Sequence, residues 1–300
     1  GGYNPWTYAL LLSFFATVTY LTSLLMTYVE YNRGPYRDWA LAGGITSTTA
    51  QFRVRGPSSD DGKRREFVVS ANPNLALMRD QMRNVPVSYG DFGEGEHHVK
   101  RLVVTDLRPS TTYYYGIIKP KRTPNSAVVA GDVGSFRTPA PEGTRMEFSF
   151  ATGSCALTGS EGNGIFEKIL DEDPLLFLHT GDFHYEDLDT LNVDDRLEAY
   201  DRVMGSDAQR LLYMRTSFAY MWDDHDYLGN NRDSSSTDAT LAARRGYTLG
   251  IPHYPLAQRS RDDEAYGAKY QAFTIGTVRF ILTDLRSESI NSSNDADAGE

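Results

Sequence analysis

The chain has 300 residues, 40 of them Asp or Glu against 30 Lys or Arg, for a formal net charge of −10. That length suggests about two domains, and the acidic balance argues against a nucleic-acid partner, whose phosphates call for Lys and Arg, while suiting divalent cations. The one cysteine, Cys155, excludes an internal disulfide.

Trp6 to Val29 contains no charged residue and is rich in Leu, Phe, Thr and Tyr. A membrane-crossing helix takes about 20 such residues. Trp6, Tyr8, Tyr28 and Tyr31 stand near its ends, as interfacial aromatics do. Residues 1–38 therefore read as a transmembrane helix with a juxtamembrane segment, anchoring a single-pass protein. Arg33 and Arg37 after the span weakly favour a cytoplasmic remainder, whereas the sequon Asn291-Ser292-Ser293 favours the extracytoplasmic side.

Residues 39–138 read as all-β. Strand candidates are 45–54, 66–70, 99–107, 111–118 and 134–138, separated by Gly, Pro, Asn and Asp, which suits a small sandwich. Leu107-Arg108-Pro109-Ser110-Thr111-Thr112-Tyr113-Tyr114-Tyr115 resembles a fibronectin type III strand whose Tyr anchors a corner. His97-His98 falls in a Gly/Glu-rich turn and reads as solvated loop. Pro139 to Arg145 is a linker, and from residue 146 strands and helices alternate.

Met146 to Thr152 predicts a strand, Gly153-Ser154-Cys155 a turn, and 164–172 a helix with Ile165, Phe166, Ile169 and Leu170 on one face. Leu175-Leu176-Phe177-Leu178 is a short apolar run suited to a strand buried on both faces. The resulting βαβ unit brings Cys155 and Asp182 to neighbouring carboxyl ends, where α/β sheets meet ligands. Helices over 193–205 and 207–216 lead to a third buried strand, 218–222. It ends in Asp223-Asp224-His225-Asp226, a run of like charges that calls for a compensating cation. Residues 240–246 predict a helix, and 270–283 a hairpin turned at Gly276 that leads to Asp284-Leu285-Arg286.

Thiolate, carboxylate and phenolate at Cys155, Asp182 and Tyr185 suit trivalent iron better than magnesium. Asp182 is placed to bridge two metals, a metal-bound hydroxide to act as nucleophile, and His225 to protonate the leaving alkoxide.

Gly153-Ser154-Cys155, Gly181-Asp182-Phe183-His184-Tyr185-Glu186, Trp222-Asp223-Asp224-His225-Asp226-Tyr227 and Thr283-Asp284-Leu285-Arg286-Ser287 together resemble the PhoD-type alkaline phosphatases of the calcineurin-like metallophosphoesterase superfamily. The resemblance covers about Trp39 to Ser287 and includes the order of sandwich before catalytic domain. It implies a fibronectin type III-like domain over 39–138 and an α/β metallophosphatase domain over 146–300. It also implies an iron centre with calcium nearby and hydrolysis of a phosphate ester. Carried over by position, Cys155, Asp182 and Tyr185 would bind iron, Asp224 would bind the second metal, and His225 would serve the leaving group. Asn230 matches an Asn of the motif, although Leu228 replaces an expected Gly. Asp223, Asp284 and Arg286 match positions near the site without an assigned role, and His184 reads as variable.

The superfamily draws further His ligands from later strands, yet no His follows His253, which itself reads as structural, and the chain ends fourteen residues after Arg286. The expectation is therefore a metallophosphatase domain and metal site that are incomplete as given, with little activity. Two other functions are weighed: a phosphodiesterase acting on phospholipids or nucleotides, of phospholipase D-like activity, and a non-catalytic membrane-anchored binding protein on the same scaffold.

Overall fold

A computed structural model of the chain describes residue 17 and residues 39–55, 65–75, 83–87, 97–120, 127–158, 164–234, 239–256 and 267–289. The expected membrane span and the sequon at Asn291 lie outside the described residues. Among the described residues no helix is long and apolar enough to cross a membrane.

Seven strands come first: β1 (Trp39–Gly43), β2 (Ala50–Arg55), β3 (Arg65–Ser70), β4 (Arg83–Val87), β5 (Val99–Val104), β6 (Thr112–Pro120) and β7 (Ala127–Arg137). The remaining elements alternate: β8 (Phe150–Gly153), α1 (Ile165–Asp171), β9 (Leu176–His179), α2 (Val193–Gly205), α3 (Asp207–Arg215), β10 (Ser217–Tyr220), α4 (Asp224–Tyr227), α5 (Ala239–Gly250), β11 (Gln271–Ile275) and β12 (Val278–Leu282). The periodicity reading placed most of these; β1, β4 and α4 were not anticipated. Pro86 within β4 removes a donor, and accordingly β4 lies at a sheet edge.

The first seven strands pack three on four. β5, β2 and β1 face the antiparallel sheet β4-β3-β6-β7. Phe52 on β2 fills the space between them, its ring centroid 4.9 Å from Phe67, 5.1 Å from Tyr115 and 5.6 Å from Phe136. The expected corner is present: the Tyr113 hydroxyl accepts the Arg108 N–H at 2.9 Å, fixing the turn into β6.

The three-stranded layer does not end at β1. It continues through β10, β9 and β8 as one six-stranded mixed sheet, antiparallel over β5-β2-β1 and parallel from β1 onward. The joint is Gly43 paired with Phe218. A Cβ at Gly43 would meet the Phe218 carbonyl at 2.5 Å, so only glycine lets the two strands approach. A second tie is buried. The Arg55 guanidinium donates to Asp201 of α2 at 2.8–3.1 Å, and Trp39 Nε1 donates to the same carboxylate at 2.8 Å. The sandwich is thereby locked to the helical layer through a charge that leaves no easy alternative partner.

Side chains alternate across the central strands. Phe177, Phe218 and Tyr220 enter the main core with Leu197, Tyr200 and Val203 of α2, Leu212 and Tyr213 of α3 and Tyr247 of α5. Leu176 and Ala219 point to the other face, where the β11–β12 hairpin covers them with Phe273, Ile275, Phe280 and Leu282. This two-faced burial explains the unbroken apolar runs of β9 and β10.

Candidate metal centre at three strand ends

β8, β9 and β10 run parallel in register, Gly153 beside His179 and His179 beside Tyr220. Their carboxyl ends deliver Cys155, Asp182 and Asp224 to one edge of the sheet, the expected place for a ligand. The turns are tight. Cys155 and Asp182 both take left-handed backbone conformations, at φ 57° and 54°, and the Cys155 N–H donates to the Gly181 carbonyl at 3.1 Å. Two strained, non-glycine turns side by side are costly and persist only where neighbouring structure holds them.

Asp182 is the centre of the group. Its Oδ2 accepts from the Tyr185 hydroxyl at 3.2 Å and from the Cys155 thiol at 3.5 Å. Its Oδ1 is buried without a hydrogen-bond partner. Buried carboxylate oxygens are normally satisfied, so an unpartnered one beside further carboxylate and imidazole groups is the mark of a ligand atom. Asp182, Asp224 and His225 offer ligand atoms that all lie within 4.8 Å of one another. Burial, followed by repulsion from Asp224 and Asp223, raises the Asp182 carboxyl above the ordinary carboxylate range. A bound cation would relieve that cost. Burial likewise raises the Tyr185 phenol, reinforced by Cys155 and Asp182. The thiol of Cys155, the phenol of Tyr185 and the carboxylates of Asp182 and Asp224 make a donor set whose chemistry fits metal ions.

The four residues after Trp222 do not share one task. Asp224 points to the site and is steadied by the Asn231 N–H at 2.6 Å. Burial raises its carboxyl, but that N–H and the Arg286 guanidinium outweigh it and hold the group below its ordinary value. Asp223 binds Arg286 Nε, and Arg286 Nη2 lies 3.6 Å from Asp224. Asp226 turns away to backbone amides. The repulsion that suggested a cation at this run is thus partly met by Arg286 and by N–H groups, and only Asp224 and His225 enter the metal-holding group.

Arg286 arrives on a built support. Asp284 is buried and accepts from Trp222 Nε1 at 2.8 Å, Lys269 N–H at 2.8 Å and Ser287 N–H at 2.9 Å. His225 packs on Tyr185 with centroids 4.5 Å apart and the rings tilted by 43°, and its Nδ1 meets Asp187 Oδ1 at 2.5 Å. Burial works to lower the His225 imidazole, but Asp187, Asp182 and Asp224 outweigh it and raise its pKa.

The sequence-derived residues Cys155, Asp182, Tyr185, Asp224, His225, Asp223 and Arg286 therefore come together. Asn230 does not join them in the way its motif position suggested: its side chain is exposed, and the next residue's backbone N–H serves Asp224 instead. His184 is 2% exposed, packs on Tyr200 and is pushed down to about 3 by burial and then by Arg196. Asp187 was missed because the sequence reading stopped at Glu186; an acidic residue five positions past Asp182 was the available signal. Asp226 was noticed only as part of a charge run.

No family model and no curated protein matches the sequence. Solved structures do match. The structure described as that of PhoD superposes with a TM-score of 0.67 at 17% identity, over 85% of this chain and 53% of that one. A purple acid phosphatase, PPD1, from seeds of yellow lupin (Lupinus luteus) superposes with a TM-score of 0.52 at 12% identity, over 84% and 46%. The chain thus spans about half the length of each. The backbone that carries the three strand-end turns shares the fold of the PhoD structure and of the lupin purple acid phosphatase.

Proposed function

We propose that this chain belongs to a metal-dependent phosphoric ester hydrolase of the PhoD type. The observation that carries the reading is the buried, unpartnered Asp182 Oδ1 between Cys155, Tyr185, Asp224 and His225. In this reading Cys155, Asp182 and Tyr185 would hold an iron ion, and Asp182 and Asp224 would hold a second ion such as calcium. When bound, the ions supply Lewis acidity to a phosphoryl oxygen and lower the pKa of an attacking water. The chain's own groups do the rest. His225, oriented by Asp187, holds a proton at the cleft for the leaving oxygen. Arg286, anchored on Asp223, sets a guanidinium beside the carboxylates, where a substrate phosphate needs positive charge. Membrane attachment through residues 6–29, with the phosphatase domain extracytoplasmic, is part of the proposal. Alkaline carbonate extraction and protease protection of the native protein test it; release by carbonate would sink the anchor.

The functional test uses the full native protein loaded with iron and calcium. Hydrolysis of p-nitrophenyl phosphate is expected, with loss of at least about 100-fold in kcat on Asp182→Asn or His225→Ala, the scale of a general-acid contribution. Faster turnover of bis(p-nitrophenyl) phosphate would move the assignment to a diesterase. Metal binding without hydrolysis of either ester would leave a binding protein on the same scaffold.

A further inference from the structure

Two loops carry the carboxylates that face each other in this site. One is the turn Gly181–Tyr185 after β9, which holds Asp182. The other is the turn Asp223–Asp226 around the start of α4, which holds Asp224. Both loops lie past the last paired residues of β9 and β10, His179 and Tyr220, with one further backbone bond from Met221 N–H to the His179 carbonyl at 3.1 Å.

A single side chain stitches them. Asp226 is 3% exposed. Its Oδ1 accepts the Phe183 N–H at 2.6 Å and the His184 N–H at 3.0 Å, from the first loop. Its Oδ2 accepts the Asp223 N–H at 3.2 Å, from its own loop. The loops also touch directly. Gly181 lies so close to Asp223 that a Cβ would stand 2.9 Å from the Asp223 nitrogen. Asp182, the residue between Gly181 and the two stitched amides, is held at φ 54°. Backbone in that region relaxes for an L-residue unless both sides are tied. Here Gly181 is pressed against Asp223 on one side, and Phe183 and His184 are tied to Asp226 on the other.

We propose that Asp226 is a positioning residue that fixes Asp182 and Asp224 at metal-sharing separation by tying the Gly181–Tyr185 turn to the turn that bears Asp224. The proposal rests on the reading of Asp182 and Asp224 as a metal-holding pair. Asp226 itself touches neither ion nor substrate. Its carboxyl oxygens accept three backbone amides, a task that suits a group with two acceptor oxygens. An amide side chain at this place keeps the Oδ1 contacts but turns an NH2 group toward the Asp223 N–H, so one side of the stitch opens.

The experiment compares the wild-type chain with Asp226→Asn and with Asp201→Asn. The latter breaks a buried Asp–Arg pair where the sandwich meets α2 and serves as a control for simple destabilisation. Mn2+ is titrated calorimetrically into the metal-free proteins, and amide hydrogen exchange is followed at Phe183, His184 and Asp223. Wild type is expected to bind Mn2+ and to protect all three amides as strongly as those of β9. Asp226→Asn is expected to weaken Mn2+ at least tenfold and to speed exchange at the Asp223 amide, whose acceptor is lost, at least tenfold. Asp201→Asn is expected to lower the unfolding temperature with Mn2+ affinity within twofold of wild type. The positioning role is overturned if Asp226→Asn keeps its Mn2+ affinity within twofold, or if Asp201→Asn loses as much. Fast exchange of Phe183 and His184 in wild type overturns it without any variant. A wild-type chain that binds no Mn2+ overturns the metallophosphoesterase reading itself, and is distinguishable because it appears before any substitution.

Discussion

His253 makes a test of how far burial has been arranged in this fold. It is 2% exposed, stacks near Tyr247 and donates from Nδ1 to the Tyr254 carbonyl at 2.9 Å. Burial first, and then the charge of Arg53, pushes its pKa down from 6.5 to about 3. The folded value is depressed below the unfolded one, so an imidazole, which is charged when protonated, contributes stability that is present above pH 6.5. That stability is lost as pH falls, because the unfolded chain takes up the proton first. Each pH unit below 6.5 removes about 1.4 kcal/mol, so the change from pH 7.5 to 5.0 removes about 2 kcal/mol for this one residue. Other groups titrate over the same range; buried Asp226, pushed up to about 7 by burial, works in the opposite direction. They cancel in a comparison with His253→Asn, which keeps an N–H near the Tyr254 carbonyl but has no proton to gain. Urea unfolding of both proteins in EDTA, at pH 7.5 and at pH 5.0, yields the double difference. The wild type is expected to lose about 2 kcal/mol more than the variant on acidification. A double difference within about 0.5 kcal/mol of zero, a third of the effect of one pH unit, would refute the burial argument.

Gly181→Ala combines a φ of +110° with a Cβ against Asp223. It is expected to cost more than about 2 kcal/mol in urea unfolding, and a loss under 1 kcal/mol would contradict the close approach of the two loops. Tyr113→Phe removes the acceptor of the Arg108 N–H and is expected to cost about 1 kcal/mol; unchanged stability would mean that the corner is not held by its hydroxyl. Asp187→Asn removes a charge that outweighs the burial of His225. The imidazole of the metal-free protein should then titrate at lower pH in its proton NMR spectrum, and an unmoved midpoint would dissociate Asp187 from His225.

The site was legible because its chemistry is local. Gly181-Asp182, Trp222-Asp223-Asp224-His225 and Ser154-Cys155 each sit where an apolar run stops, and a strand end is written in the sequence as a change from Val, Leu and Phe to Gly, Asp and Ser. That a βαβ unit would set Cys155 beside Asp182 also followed from chain order, since such crossovers leave few alternatives. Elements 193–205 and 207–215 were visible through their helical period, and β9 and β10 through length and apolarity.

What tertiary structure decided was which way each charge faces. By residue type Asp223, Asp224 and Asp226 are alike, and only the family resemblance set Asp224 apart. In the fold one binds Arg286, one faces the metal-holding group and one accepts three backbone amides. Arg286 lies 63 residues from Asp223 and Asp187 lies 38 from His225, separations over which no local pattern speaks. The joining of β1 to β10 was hidden for the same reason, since a parallel pair between residues 43 and 218 depends on a close approach at Gly43 that only the packed chain reveals. Sequence periodicity encodes which faces are buried; the partner each buried polar group finds is chosen by the packing, because a desolvated charge accepts whatever donor the folded backbone brings within reach.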